Sequence, residues 1–188
     1  MALTPSVMPE IGTPLPDFEL PNVSGGVCSR ADAMGNKGLL VAFICNHCPY
    51  VVHIRDIFTQ LANSWLPRGL GVVAISSNNI ETYPQDGPGP MANLAQELNF
   101  QFPYLLDASQ SVAKAFEAAC TPDFFLYDPS GRLVYRGQFD ASRPGNDVPV
   151  TGNALGQAVE RLLHGQDPVE EQVPSVGCNI KWKAGLIK

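Results

Sequence analysis

Two cysteines, Cys45 and Cys48, are separated in the sequence by only Asn46 and His47. A continuous apolar run ends at the first cysteine and a helical pattern of apolar residues follows the second, so the pair is predicted at a strand-to-helix junction. Cα atoms at this spacing lie about 5.5 Å apart, which allows a disulfide to form without backbone movement. Because free N–H groups and the helix dipole favour an anion there, we expect a lowered thiol pKa at Cys45. The spacing therefore predicts reversible thiol–disulfide exchange.

Two neighbours of the pair are expected to change its properties. His47 can supply an imidazolium or a hydrogen bond to the Cys45 sulfur, which would make the couple more oxidising. The alternative for His47 is an exposed residue at the helix start with no chemical role. Pro49 disfavours helical backbone at Cys48 and removes a donor from the first turn, so we expect a kinked helix or a late helix start. For the cysteines themselves, the alternative is two incidental buried thiols.

Apolar periodicity and chain breakers predict the elements that position the pair. A buried strand over 38–45 is followed by a helix over 50–65 and a second buried strand over 71–77, an order that predicts a right-handed parallel crossover. The further elements predicted are a loop over 78–90, a helix over 91–100, a strand over 103–107, a helix near 111–118, a hairpin over 120–140 and a helix over 152–163. The pattern indicates one α/β domain over 1–188, with an extended segment at 1–37 and a tail at 165–188.

The composition excludes several classes of protein. A chain of 188 residues with 45% apolar and 16% charged residues fits a single folded domain. The net charge of −6 includes no basic block, so we expect no nucleic-acid partner. The longest apolar run is far shorter than the ~20 residues that a bilayer requires, and residues 1–25 contain no Lys or Arg, so neither a membrane anchor nor a signal peptide is expected. The sequence leaves the oligomeric state open.

The cysteine count indicates the compartment. There are five cysteines with only one close pair, which is not the pattern of a disulfide framework. We therefore expect a reducing, cytoplasmic compartment. No resident cofactor or metal is expected for the exchange chemistry.

The sequence resembles the thioredoxin superfamily, specifically its peroxiredoxin-like, AhpC/TSA-related branch, in which a Cys-Asn-His-Cys-Pro-Tyr-Val motif replaces the usual Trp-Cys-Gly-Pro-Cys. The stretches that carry the resemblance are FICNHCPYV, AISSN, YPQDGP, FPYLLD, CTPDFFLYD, LVYRGQFDASRP and PSVGCNIKWK. The resemblance implies a thioredoxin-like fold, with a central mixed sheet, a C-terminal antiparallel hairpin and helices on both faces. It also implies a cis-proline facing the cysteine pair, for which the matching residues are Thr121 and Pro122. The alternative is an ordinary trans proline at the start of a strand.

Some residues depart from the patterns of these relatives. Neither Cys45 nor Cys48 has the proline seven residues before it and the Thr or Ser three residues before it that resemble a peroxidatic site. The arginine that helps to polarise peroxide is also missing where Cys120 and Thr121 stand. Without donors aimed at the developing oxyanion, efficient peroxidase activity is not expected. The stretch LLVAFI lacks the buried acid of thioredoxins, so proton transfer falls to water, to His47 or to an acid elsewhere.

The leading functional hypothesis is a thiol–disulfide oxidoreductase acting on a protein or small-molecule thiol or disulfide. In it, Cys45 forms the mixed disulfide, Cys48 resolves it and Pro122 presents the partner. The alternatives are a thiol peroxidase of peroxiredoxin type, a redox-sensitive binding module and a metal site. The metal site would be formed by the pair with one or more of His47, Cys120 and Cys178. Cys120 is either a third redox thiol or a small buried residue, and Cys178 is either a resolving thiol or a packing anchor of the tail.

Overall fold

The computed structural model describes residues 3–185. Its α-helices are α1 (Arg30–Ala33), α2 (Pro49–Trp65), α3 (Pro88–Glu97), α4 (Ser111–Ala115) and α5 (Asn153–Leu163). Its strands are β1 (Leu3–Pro5), β2 (Glu19–Pro21), β3 (Val27–Ser29), β4 (Leu39–Phe43), β5 (Gly71–Ser76), β6 (Tyr104–Leu106), β7 (Cys120–Thr121), β8 (Asp123–Tyr127), β9 (Leu133–Gly137) and β10 (Val176–Asn179). Short 3-10 helices cover Leu66–Arg68 and Pro84–Asp86. The predicted N-terminal segment and tail include residues 1–2 and 186–188, which lie outside the described residues.

Within residues 3–185, the central sheet has five strands in the order β6-β5-β4-β8-β9. β4 pairs in parallel with β5, and β5 with β6, whereas β4 with β8 and β8 with β9 are antiparallel. The parallel β4–β5 pair is the predicted crossover, and β8–β9 is the predicted hairpin. The mixed sheet of a thioredoxin-like fold is therefore confirmed.

β4 is the central strand because every one of its residues is apolar and buried. Leu40 and Ala42 face the core formed with α2 and α5, whereas Val41 and Phe43 face the core formed with α4 and the N-terminal segment. Successive strand residues point to opposite faces of a sheet, so a strand covered on both faces reads as a continuous apolar run. Helices on both faces of the sheet are thus confirmed.

α2 begins immediately after the cysteine pair. Cys48 is its N-cap residue, with the extended backbone (φ −68°, ψ 123°) that a following proline favours. Pro49 occupies the first helical position, where the missing N–H would have no partner in the helix. The expectation of a kinked helix or a late start is therefore wrong, because a proline at this one position fits a regular helix.

The tail contains a strand that the sequence did not predict. β10 pairs antiparallel with β7 on one side and with β1 on the other, in a second sheet of order β1-β10-β7. The N-terminal segment contributes β2 and β3, which pair with each other in an antiparallel arrangement. Helix α3 begins at Pro88, inside the predicted loop. Among residues 3–185, no helix has both the length and the apolar character needed to cross a membrane.

Candidate functional site

The cysteine pair lies between the end of β4 and the start of α2. Cys45 and Cys48 are both thiols and are almost completely buried, with exposures of 1% and 0%. Each of the two thiols interacts with the other strongly enough to shift its pKa. The Sγ of Cys48 lies 3.1 Å from the carbonyl oxygen of Thr121, and the Sγ of Cys45 lies 3.5 Å from the Thr121 Oγ1. The Thr121–Pro122 peptide bond is cis, as the resemblance implied. The structure therefore brings these residues together from β4, α2 and β7.

A buried carboxylate occupies the anion position at the junction. Oδ1 of Asp86 accepts the backbone N–H groups of Asn46 at 2.9 Å and His47 at 3.3 Å. Oδ2 accepts the side-chain N–H of Asn78 at 2.9 Å. Asp86 is completely buried, in the 3-10 helix that follows Tyr83. The N–H groups that were expected to stabilise a Cys45 thiolate therefore bind a carboxylate instead.

The two thiols of the reduced pair have pKa values shifted in opposite directions. The interaction with Cys48 raises the pKa of Cys45 well above its usual value, and burial and the negative Asp86 add to this effect. The same interaction lowers the pKa of Cys48, and donors from Cys178, Thr121 and the first turn of α2 add to it against burial. The Thr121 carbonyl acts in the opposite sense, because it accepts a hydrogen bond only from protonated Cys48. The expected lowering of the pKa of Cys45 is therefore wrong.

His47 contacts Asp86 rather than the cysteine sulfur. Its Nδ1 lies 2.6 Å from Oδ2 of Asp86, and its ring stacks on Tyr83 with a centroid distance of 5.1 Å. Among the described residues, Nε2 of His47 is buried without a hydrogen-bond partner. The predicted hydrogen bond to Cys45 is therefore not the one that this side chain makes. His47 instead forms part of the hydrogen-bond network of Asp86.

Asn46 is held by two partners outside the motif. Its side-chain N–H donates to the carbonyl oxygen of Gln85 at 3.1 Å, and its Oδ1 accepts the hydroxyl of Tyr104 at 3.1 Å. These bonds join the cysteine loop to the loop containing Asp86 and to strand β6. Asn46 therefore fixes the backbone of the cysteine loop.

One group of residues in the described part of the chain has the donors for a metal ion. The sulfur of Cys45, a ring nitrogen of His47 and a carboxylate oxygen of Asp86 lie within 4.8 Å of one another. Thiolate, imidazole and carboxylate are all ligands of Zn²⁺ in proteins. This group shares Cys45 and His47 with the predicted metal set, but its third member is Asp86 rather than another cysteine.

The two further cysteines have different surroundings. Cys120 is fully buried in β7, and its thiol donates to the carbonyl oxygen of Pro122 at 3.6 Å. Burial raises the pKa of Cys120 far above its usual value. Cys178 lies in β10 opposite Thr121, and burial followed by its interaction with Cys48 raises the pKa of Cys178 to about 12. Cys178 thus lies next to the pair.

Two buried acids were missed by the sequence reasoning. Asp86 lies in the YPQDGP stretch, whose length and glycine and proline content do indicate a loop bordering a site. Asp123 begins β8, directly after Pro122, and is paired with Phe43 at the end of β4. Burial raises the pKa of Asp123 to about 7. The acid sought in β4 thus has a counterpart in the adjacent strand, where the signal was a single acid opening the apolar run DFFLY.

The mixed sheet, the cysteine pair at the start of α2 and the cis-proline define a thioredoxin-like protein. More particularly, the chain belongs to the AhpC/TSA family, whose model matches residues 11–136. At this level the chain is a thiol redox protein, in a class that includes both thiol–disulfide oxidoreductases and thiol peroxidases. A comparison with curated proteins gives no match.

Solved structures agree with this assignment. An uncharacterized conserved protein from Geobacillus kaustophilus is 46% identical, with a TM-score of 0.96, and the match covers 98% of each chain. A hypothetical protein from Sinorhizobium meliloti is 49% identical, with a TM-score of 0.95, covering 97% of this chain and 100% of that chain. A thiol:disulfide interchange protein from Chlorobium tepidum is 20% identical, with a TM-score of 0.63, covering 83% of this chain and 99% of that chain. The last likeness shows the fold alone.

Proposed function

We propose that the protein is a thiol–disulfide oxidoreductase, which exchanges a reversible Cys45–Cys48 disulfide with a thiol or disulfide of a protein or small-molecule partner. The observation that carries this proposal is the placement of both sulfurs against the same residue, Thr121, next to the cis-proline. Two thiols in such contact can exchange two electrons for one covalent bond with little movement of the backbone. Pro122 lines a small cavity together with Tyr50 and Ser175, and in this proposal a partner segment approaches the pair there.

The charge distribution supports a specific sequence of steps. In the oxidised protein, a partner thiolate attacks the Sγ of Cys45, the Cys45–Cys48 bond breaks, and Cys48 leaves as a thiolate. A thiol of low pKa is the better leaving group, and Cys48 is the sulfur with the lowered pKa. A second partner thiolate then attacks the partner sulfur of the mixed disulfide, and Cys45 leaves and takes up a proton. The partner dithiol is oxidised to a disulfide, and the cysteine pair is reduced by two electrons.

The same distribution favours one direction of exchange. Stabilising the Cys48 thiolate stabilises the reduced pair and makes the couple more oxidising. The negative Asp86 beside Cys45 acts in the opposite sense, because it disfavours a second thiolate. We therefore propose that the protein acts as an oxidant of partner dithiols, with Asp86 limiting its oxidising strength.

Both sulfurs are covered, so exchange requires local opening of the segments around them. Cys48 lies beneath Thr121 and β10, and Cys45 is enclosed with Thr121 and Asp86. Alkylation of the native thiols should therefore be much slower than that of a free cysteine, and its rate should follow the opening. A partner that displaces these segments would gain access to Cys45.

A metal-binding function is the second candidate, because Cys45, His47 and Asp86 provide three close ligands. Zinc bound there would hold Cys45 as a thiolate and block disulfide formation.

A peroxidase function is less well supported. The N–H groups beside Cys45 are used by Asp86, and Arg143 donates to the carbonyl oxygens of Asp140 and Ser142, so these donors are not aimed at a peroxide.

The deciding experiment is a redox titration of the purified protein in dithiothreitol buffers, with alkylation and mass spectrometry of each cysteine. We expect one two-electron transition confined to Cys45 and Cys48. A Cys48→Ser variant should trap a mixed disulfide at Cys45 when it is treated with a small disulfide substrate, with release of one substrate thiol, and a Cys28→Ser variant should behave as the unchanged protein. Persistently reduced Cys45 and Cys48 in excess oxidant, or one zinc ion per chain, would exclude the proposal, and rapid peroxide consumption would favour the peroxidase.

We also propose that the protein works in a reducing, cytoplasmic compartment. No disulfide joins any two of the five cysteines, all of which lie in the described range 3–185. Oxidising compartments favour stable disulfides in proteins, whereas a single exchangeable pair fits a reducing one. Cell fractionation with detection of the protein would test this compartment directly.

A further inference from the structure

The tail strand holds a third cysteine against the pair. In the β10–β7 pairing, Cys178 lies directly opposite Thr121, and on its other side it lies opposite Leu3 of β1. Cys178 is 3% exposed. At Gly177 an added Cβ would lie 2.0 Å from the carbonyl oxygen of Thr121. The glycine therefore allows β10 to approach β7 more closely than a larger residue would.

Cys178 and Cys45 both interact with the same thiol. Cys178 is the strand partner of Thr121, whose carbonyl oxygen lies 3.1 Å from the Sγ of Cys48, and both Cys178 and Cys45 shift the pKa of Cys48. All three side chains belong to one buried cluster on the α2 side of the sheet. Cys48 is therefore placed between two possible disulfide partners, one from β4 and one from the tail.

The tail beyond Cys178 is attached to the loop that carries Asp86. The backbone N–H of Lys181 donates to Oδ1 of Asn78 at 2.8 Å, and its carbonyl oxygen accepts the N–H of Asn79 at 2.8 Å and the side chain of Gln110 at 2.9 Å. Asn78 in turn donates to Asp86. The position of Cys178 is thus fixed both by strand pairing and by the network that supports the cysteine loop.

We propose that Cys178 is a third redox-active thiol, which displaces Cys45 from its disulfide with Cys48 by internal disulfide exchange. This inference rests on the proposed function, because it begins from the Cys45–Cys48 disulfide. Cys178 loses its proton and its sulfur attacks the Sγ of Cys48. The Cys48–Cys178 bond forms, the Cys45–Cys48 bond breaks, and the electron pair stays on Cys45, which takes up a proton. The number of disulfides is unchanged, so no external oxidant is needed.

The exchange gives the oxidised protein a second form. In this form the disulfide joins Cys48 to Cys178 of β10 and is covered by the second sheet, and Cys45 is again a thiol. Such a chain carries one disulfide and one thiol at the site. It can attack a partner disulfide through Cys45 without first being reduced.

Disulfide mapping of a Cys45→Ser variant tests the proposal. The variant is treated with oxidised dithiothreitol, acid-quenched, alkylated and digested with trypsin, which releases residues 38–55 and 162–181 as separate peptides. We expect these peptides to be joined by a disulfide, which in this variant involves only Cys48 and Cys178. The bridge should disappear in Cys45→Ser/Cys178→Ser and persist in Cys45→Ser/Cys28→Ser. Absence of the bridge, or a bridge to Cys120 in its place, would overturn the proposal.

A second measurement uses the oxidised protein with its natural cysteines. If the internal exchange occurs, a fraction of chains that carry one disulfide will have Cys45 available for alkylation. This modification should fall at least tenfold in Cys178→Ser, and an equal yield in the two proteins would contradict the inference. Closure of the Cys45–Cys48 disulfide without a Cys48–Cys178 bridge removes only this inference, whereas failure of Cys45 and Cys48 to close removes the proposed function as well.

Discussion

Replacing Asp86 by asparagine tests the electrostatic account of the site. The carboxylate is completely buried, and it accepts the N–H groups of Asn46 and His47 while lying near the Cys45 sulfur. Asp86→Asn keeps the shape and one accepting oxygen but removes the negative charge. Because this charge raises the pKa of Cys45, we expect the variant to have a lower Cys45 pKa and a less negative reduction potential.

The size of the change follows from the geometry. A carboxylate oxygen of Asp86 and the sulfur of Cys45 lie within 4.8 Å of each other. Two unit charges at that distance interact by about 3.5 kcal/mol at an effective dielectric constant of ~20. In potential, the expected increase is at most about 75 mV, since about 30 mV corresponds to 1.4 kcal/mol for a two-electron couple. The full increase requires a pH at which Cys45 is ionised in the reduced pair.

The assay is a redox titration in glutathione buffers, together with the pH dependence of the Cys45 alkylation rate resolved by mass spectrometry. Asp56→Asn is the matched control, because it changes the net charge equally at an exposed position on α2. Urea unfolding should accompany both variants, since unmatched donors around the new amide cost about 1 to 3 kcal/mol. A folded Asp86→Asn protein whose potential is unchanged or more negative would refute the reasoning.

Three further predictions concern stability and access to the site. Gly177→Ala should push β10 away from Thr121 and raise the alkylation rate of Cys48 about tenfold, because a loss of ~1.4 kcal/mol in local stability corresponds to that factor. An unchanged rate would show that β10 does not cover the thiol. Burial raises the pKa of Asp123 to about 7, so the folded state retains a proton that the unfolded chain releases near pH 4, and stability should fall as the pH rises from about 4 to 7. Asp123→Asn should remove this fall, which amounts to about 2.6 kcal/mol between pH 5 and pH 8 in urea unfolding, and an identical pH dependence in the variant would assign it to other groups. Glu160→Gln breaks an ion pair with Arg68 in which both side chains are nearly half exposed, and it should cost less than about 1 kcal/mol in thermal unfolding; a larger loss would contradict that view of the pair.

The elements around β4 could be predicted because their signal is local. The apolar run over 38–45, the helical spacing after it and the second apolar run each record burial in neighbouring residues. The hairpin was predictable for the same reason, since Asp128 and Gly131 provide the turn between two apolar strands. What the local signal could not provide was β10, whose four residues include a glycine and whose pairing depends on β7 and β1.

The chemistry of the pair could be predicted only in part. Sequence spacing indicated that Cys45 and Cys48 adjoin a helix start, and this is where they lie. The assignment of the thiolate to Cys45 was wrong because the free N–H groups at the helix start have another acceptor. They donate to Asp86, about 40 residues further along the chain, and not to the Cys45 sulfur. Cys178 raises the same difficulty, since its approach to Cys48 is a contact between distant segments. Contacts of this kind depend on the tertiary structure and leave no periodic pattern in the sequence.

The pairing of β1 with β10 has a practical consequence for handling the protein. Leu3–Pro5 and Val176–Asn179 are adjacent strands of the sheet that contains Thr121, so a segment near each end of the described chain adjoins the thiols. An affinity tag or fluorescent fusion joined close to either strand is expected to disturb this sheet and to change the reactivity of the thiols. The exposed turn at Ser24–Gly26, between β2 and β3, is a better attachment point.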